Sequence, residues 1–147
     1  MSSRKAPGVS SRAVADTGPL VAIVRSREKD HRKCVAALKA IRPPLLTCWP
    51  VLTEAAWLLR KEPGGFGALG GLVESGVVRV VELDETALAW IIAFLDRYAS
   101  AGAQLADAAL MYLADREDID TVFTLDRRDF SIYRTTDGRA PAILPGP

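Results

Sequence analysis

Histidine and cysteine are nearly missing from this chain of 147 residues: His31 stands alone, and Cys34 and Cys48 are its two thiols. One histidine is too few for a histidine-based zinc site, and His31 itself reads as a surface residue of a helix. The cysteines lack disulfide spacing and lie in segments that read as buried, which favours a reducing, cytoplasmic setting. Net charge is scarce as well, +1 at pH 7. No overall field therefore argues for or against a polyanionic partner, and nucleic-acid contact would have to come from local arginine and lysine clusters. No apolar run is long enough to span a bilayer. The opening "MSSRKAPGVSSR" has no signal-peptide core, and residues 1–11 are expected to form a disordered tail.

What the chain does have is apolar content, 49%, beside 25% charged residues. That globular balance over this length suits one domain, residues 12–147. A short strand is expected over Arg12–Asp16, with Gly18 and Pro19 turning the chain into an apolar segment. "DHRKCVAALKAI" carries apolar residues at helical spacing and is stopped by prolines. "PLLTC" reads as a buried strand, and Pro50 opens the helix "PVLTEAAWLLRKE". "PGGFGALGGLVESG" reads as a glycine-rich loop plus a weak helix. "VVRVVEL" is a strand, and "DETALAWIIAFLDRYAS" is an amphipathic helix capped by Asp84. "QLADAALMYLADRE" is a helix apolar nearly all round, hence deeply packed. "DTVFTLD" is a strand, and "RAPAILPGP" adds a last edge strand. Strands alternating with helices predict a three-layer α/β fold, a mostly parallel sheet of about five strands flanked by helices.

Four acids sit where their neighbours argue for burial. Asp16 ends the first strand in "VADTGPLVA", and Asp126 ends "TVFTLD". Glu54 is the lone charge of "VLTEAAWLL", and Asp107 that of "LADAALMYLA". Each has a plain structural reading: Asx turns for Asp16 and Asp126, a helix cap for Asp107, and a dipole-favoured first turn for Glu54. Taken together they reach one place, because ligands of open α/β sheets bind at the carboxyl ends of the strands where strand order reverses. Clustered carboxylates repel unless a cation lies between them. An all-oxygen donor set points to Mg²⁺ or Mn²⁺, the usual apparatus of phosphodiester hydrolysis.

Three other spellings fail on context. "GFGALG" matches the dinucleotide-binding pattern but follows a helix, so no nucleotide cofactor is expected. Asp-Thr-Gly is the aspartic-protease triplet, yet that site needs a β-rich chain and a second, symmetric aspartate. A dehalogenase-type phosphatase needs an aspartate two residues past the nucleophile, where Gly18 stands.

The stretches "ADTGPLVAIV", "TCWPVLTEAAWLL", "LADAALMYLA" and "VFTLDRRDFSIYR", in this order, resemble the PIN-domain nucleases, particularly the VapC-type toxins of toxin–antitoxin pairs. The likeness runs from Val14 to about Arg134. It implies a metal-dependent endoribonuclease with one or two Mg²⁺ or Mn²⁺ ions held by Asp16, Glu54, Asp107 and Asp126. Asp16 and Asp107 would be the main ligands, Glu54 would bind metal or orient the attacking water, and Asp129 is a substitute for Asp126. Thr17 and Thr124 would hydrogen-bond the carboxylates. Arg127, Arg128 and Arg134 would grip phosphates or form a solvated loop. The resemblance also implies a homodimer and a small VapB-like antitoxin. Two rivals are a PIN-like module that binds RNA or protein without cutting, and a housekeeping RNA-processing nuclease.

Overall fold

The computed structural model describes residues 11–147. Of the predicted tail, all but Ser11 lies outside the described residues; Ser11 forms a parallel bridge to Ile41. Five strands make one sheet: β1 (Val14–Ala15), β2 (Leu45–Thr47), β3 (Val78–Val80), β4 (Thr121–Phe123) and β5 (Ala142–Leu144). The order is β3-β2-β1-β4-β5 and every pairing is parallel. Val14 is in register with Leu46 on one side and Val122 on the other. The chain thus builds outward from β1 in one direction, then returns to β1's free side to lay down β4 and β5. β1 and β4 flank the point where strand order reverses.

Burial follows position in the sheet. The central strands β1, β2 and β4 are buried at every residue, whereas edge strand β3 exposes Arg79 and edge strand β5 exposes Ala142. Strands covered on both faces need continuous apolar runs, and "LLT" and "TVF" supply them. Phe123, Leu45, Leu46, Leu110, Leu113 and Tyr133 are among the largest fully enclosed side chains. Enclosing one such apolar side chain contributes roughly 1.5–3 kcal/mol.

Among the described residues seven α-helices connect the strands: α1 (Thr17–Val24), α2 (His31–Lys39), α3 (Trp49–Leu58), α4 (Gly65–Glu74), α5 (Leu88–Arg97), α6 (Leu105–Arg116) and α7 (Arg127–Ile132). α6 is the deeply packed one: Ala106, Ala108, Ala109, Leu110, Met111, Leu113 and Ala114 are all buried. Asp84 caps as expected, accepting from Thr86 N at 2.9 Å, but the first turn it caps is a 3₁₀ turn, Glu85–Ala87, ahead of α5.

Three segments depart from the expectation. Gly18 and Pro19 do not form a turn; both lie in the first turn of α1, where a missing proline N–H breaks no helical bond. Gly18 is there for space, since a Cβ would meet Leu125 at 3.3 Å. The glycine-rich stretch forms the ten-residue helix α4. Each glycine costs about 1 kcal/mol of helix propensity, offset by packing of Leu69 and Leu72 against the core. The arginine-rich segment after Asp126 is the short helix α7, not a loop. No described helix is long and apolar enough to cross a membrane.

Candidate active site

Asp16 stands one residue past β1, in extended backbone that leads into α1. Its N–H continues the ladder to Phe123 O at 2.9 Å, so the strand pairing itself aims the residue at the carboxyl edge. Its side chain does not cap α1. Instead Oδ2 accepts from Thr124 Oγ1 at 2.7 Å, across the β1–β4 switch point. Asp16 is only 9% exposed. Burial pushes its pKa up to about 6, against the lowering effect of the Thr124 hydroxyl and the Thr17 N–H, and the charges of Asp107 and Glu54 push the same way as burial.

Thr124 links two parts of the site. It follows β4, is fully buried, and its Oγ1 also accepts from Asp126 N at 3.0 Å. Thr17 plays a matching part: its buried hydroxyl is shared between Val51 O and Glu54 Oε2, both at 3.3 Å. Each threonine thus sets its hydroxyl against one carboxylate, Thr17 against Glu54 and Thr124 against Asp16.

Asp107 is at the third position of α6 and half-buried. Its Oδ2 accepts from Gln104 N at 3.3 Å and from the Tyr133 hydroxyl at 2.9 Å. Desolvation raises its pKa, the two donors lower it, and the nearby charge of Asp126 raises it again. The N-cap of α6 is Gln104, not Asp107, and Asp107 at N3 reaches back to it as one half of a capping box. Asp126 is the N-cap of α7, accepting from Asp129 N at 3.2 Å. Asp129 has its pKa raised by desolvation, by its hydrogen bond and proximity to Asp126, and by Asp107.

The expectation of burial holds for Asp16, half-holds for Asp107 and fails for Glu54 and Asp126, which are exposed. A lone charge in an apolar helix can still point outward when the period puts it on the wet side. Among the described residues none of Asp16, Glu54, Asp107, Asp126 or Asp129 has an ion pair. Nor do any three His, Cys, Asp or Glu side chains among the described residues form a group that could hold a metal. The acids are neighbours, not a closed ligand cage.

That arrangement still fits a hard divalent cation. The donors are all oxygens, and the most buried of them is uncompensated by positive charge. Mg²⁺ commonly keeps several waters and is held by one or two carboxylates with substrate phosphates, so a full protein cage is not required. Asp16 is the most buried of these acids, and the charges of Asp107 and Glu54 both act on it.

The three arginines behave differently from one another. Arg127 Nη1 donates to Pro145 O at 2.8 Å, tying α7 to the segment after β5. Arg134 Nη1 donates to the carbonyls of Ser131, Ile132 and Tyr133 at 2.7–3.2 Å, closing the end of α7. Arg128 is exposed; its carbonyl accepts from Ser131 Oγ at 2.7 Å, but its guanidinium has no hydrogen-bond partner among the described residues. His31 bonds the Ala22 carbonyl through Nδ1 at 2.7 Å, away from the acids. Tyr133 is the residue sequence reasoning missed. The available signal was a tyrosine in an apolar setting, whose hydroxyl needs a partner when buried.

Known proteins share this architecture. The crystal structure of Mycobacterium tuberculosis VapC20, described as a sarcin–ricin loop cleaving toxin, superposes with a TM-score of 0.71 at 19% identity, over 80% of this chain and 92% of that one. A toxin–antitoxin complex from Klebsiella pneumoniae gives 0.64 at 18% identity, over 82% and 91%. In sequence, Ribonuclease VapC26 of Mycobacterium tuberculosis is 27% identical over 139 residues, 90% of this chain and 99% of its own length. The PIN domain as a family matches residues 13–135, a span that begins beside β1 and runs past α7, taking in Asp16, Glu54, Asp107 and Asp126. With that match covering the switch point and every acid around it, the chain belongs to the PIN-domain family.

Proposed function

We propose that this protein is a Mg²⁺- or Mn²⁺-dependent endoribonuclease and the toxin of a toxin–antitoxin pair, confined to the cytoplasm. The observation that carries the reading is Asp16, a carboxylate 9% exposed at the strand-order switch point, beside Glu54 and Asp107 and with no ion pair among the described residues. Such a site is electrostatically incomplete and attracts a divalent ion. The 27% identity to a protein named a ribonuclease, across nearly its whole length, supports the choice of RNA. A second protein of this fold is named as a toxin that cleaves the sarcin–ricin loop, and a third sits in a toxin–antitoxin complex, which supports the toxin role. Trp49, Trp57, Leu88, Ile92 and Leu105 are large apolar side chains left exposed, in keeping with a homodimer and a small VapB-like antitoxin.

When bound, one or two divalent ions would activate water and stabilise charge on the departing oxygen. Asp16 and Asp107 would be the principal ligands, held in place through the Thr124 and Tyr133 hydroxyls. Glu54, steadied by Thr17, would bind the ion or orient the attacking water. Asp126 or Asp129 would complete the acidic rim. Arg128, whose guanidinium has no described partner, is the strongest of the three arginines for phosphate contact. Arg127 and Arg134 serve mainly to hold α7.

Cleavage of a structured RNA by wild type and by Asp16→Asn, each with Mg²⁺, with Mn²⁺ and with EDTA, tests the reading. Activity should need the metal and fall by orders of magnitude in the variant. Cleavage that survives EDTA, or equal cleavage by both proteins, overturns it.

A further inference from the structure

Three hydroxyls bond the site's acids: Thr124 holds Asp16, Thr17 holds Glu54, and Tyr133 holds Asp107. The third joins the end of α7 to the start of α6, and nothing in the local sequence marks it. Tyr133 has no solvent exposure. Its ring is packed edge-on against Phe94, Tyr98 and Phe130 with centroids 5.0–5.1 Å apart. On its C-terminal side Arg134 N donates to Tyr98 Oη at 3.0 Å, and on its N-terminal side Tyr133 N bonds Asp129 O at 3.3 Å. The three neighbouring rings fix the side chain, so the hydroxyl arrives at Asp107 with little freedom left.

The consequence lies in which oxygen it takes. Tyr133 Oη and Gln104 N both donate to Oδ2 of Asp107, while Oδ1 receives no hydrogen bond among the described residues. Two donors on one oxygen fix the carboxylate plane and leave the other oxygen available. A phenol suits the task because it is a neutral donor: a lysine or arginine in the same place would cancel the charge that a cation needs.

Resting on the nuclease reading above, we infer that Tyr133 is a positioning residue that presents Asp107 Oδ1 to the divalent ion. α7 then does two jobs at once, carrying Asp126 at its start and the donor to Asp107 at its end.

Tyr133→Phe removes one oxygen and keeps the ring in its cluster. The test is Mn²⁺ binding, read by calorimetry without RNA, beside the Mn²⁺ dependence of cleavage. The dissociation constant should rise roughly 10-fold or more, the scale seen when a partner of a metal ligand is removed. The metal needed for half-maximal cleavage should rise with it, while the rate at saturating metal changes less. Tyr98→Phe is the control: it removes a hydroxyl from the same cluster but none from Asp107. It should lower the melting temperature and leave Mn²⁺ affinity within about two-fold, well under the 10-fold scale for a ligand's partner. A purely structural Tyr133 would behave as Tyr98 does, and that result overturns the inference. Wild type that fails to bind Mn²⁺ overturns the nuclease reading together with this one, whereas equal binding by wild type and Tyr133→Phe overturns this one alone. Should Tyr133→Phe not fold, the wild-type hydroxyl proton gives the answer by NMR. Held on Asp107 it exchanges slowly and is lost in Asp107→Ala; absence of that signal in wild type overturns the inference.

Discussion

Asp16→Asn should make the metal-free protein relatively more stable as pH rises, and the structure sets the size of the effect. Burial lifts the Asp16 pKa from 3.8 to about 6. The folded state therefore holds this proton more tightly than the unfolded state does. Between pH 3.8 and about 6 the folded protein binds the extra proton, so its stability falls as pH rises through that window and is level above it. The whole span corresponds to roughly 3 kcal/mol, of which about 2 kcal/mol lies between pH 4.5 and 8. Asp84 and Asp137 have lowered pKa values and titrate beneath the window, so they do not mask it. Asparagine can still accept from Thr124 but carries no charge, and its buried NH₂ brings a constant cost that pH does not alter. The quantity to follow is therefore the difference between variant and wild type at each pH, not either melting temperature alone. In EDTA that difference should move in the variant's favour by about 4–8 °C from pH 4.5 to pH 8, at roughly 2–4 °C per kcal/mol for a domain of this size. Thermal melts by circular dichroism at several pH values measure it. A difference that stays flat with pH, or moves against the variant as pH rises, refutes the argument that Asp16 is a buried, uncompensated charge. Addition of Mg²⁺ at pH 8 should raise the wild-type melting temperature and reduce the gap, because the ion binds only the folded state.

Thr124→Val removes the donor to Asp16 and the acceptor for Asp126 N, so urea denaturation should show a loss of about 1–3 kcal/mol and cleavage should fall with it. Arg128→Ala should weaken RNA binding at low salt while leaving stability within about 0.5 kcal/mol, as for other exposed sites. Arg134→Ala should do the reverse first, lowering the melting temperature because three carbonyls at the end of α7 lose their donor; a filter-binding assay beside a thermal melt separates the two arginines.

Much of the frame could be read from local pattern. "LLT" and "TVF" are short continuous apolar runs, which only a strand covered on both faces accommodates, and α6 announced its burial by carrying apolar residues on every side. Patterns that depend on length or on distant packing were harder. α7 spans six residues, too few for a 3.6-residue period to repeat twice, and its capping aspartate doubles as a site acid. α4 was legible in part: its glycines suggested a loop plus a weak helix, and the packing of Leu69 and Leu72 supports a full ten residues. Asp16, Glu54 and Asp107 stood out as charges among apolar neighbours, and Asp126 as an acid just past a strand. Their exposure was not legible, because that depends on which helix face meets the sheet. The Tyr133–Asp107 pair was invisible for a related reason: nothing in "SIYR" marks a partner on another helix.

The site gathers the places where this chain departs from what stability alone would choose. A buried aspartate has no ion pair among the described residues, a strand-end hydroxyl donates to it, and α7 presents acids toward a third acid. The charge on Asp16 does not improve the metal-free fold; by the titration argument it lowers stability by roughly 3 kcal/mol at neutral pH relative to the protonated form. Local conflicts of this kind persist in folded proteins chiefly where function requires them. Here the conflicts share a sign and a location, since each concentrates negative charge at the β1–β4 switch point, and each is steadied by a neutral hydroxyl instead of a cation. A scaffold that merely bound RNA would gain from neutralising these acids, because they repel phosphate. On the proposed function a divalent ion would stand between acid and phosphate, and the electrostatics would then favour cleavage over passive binding.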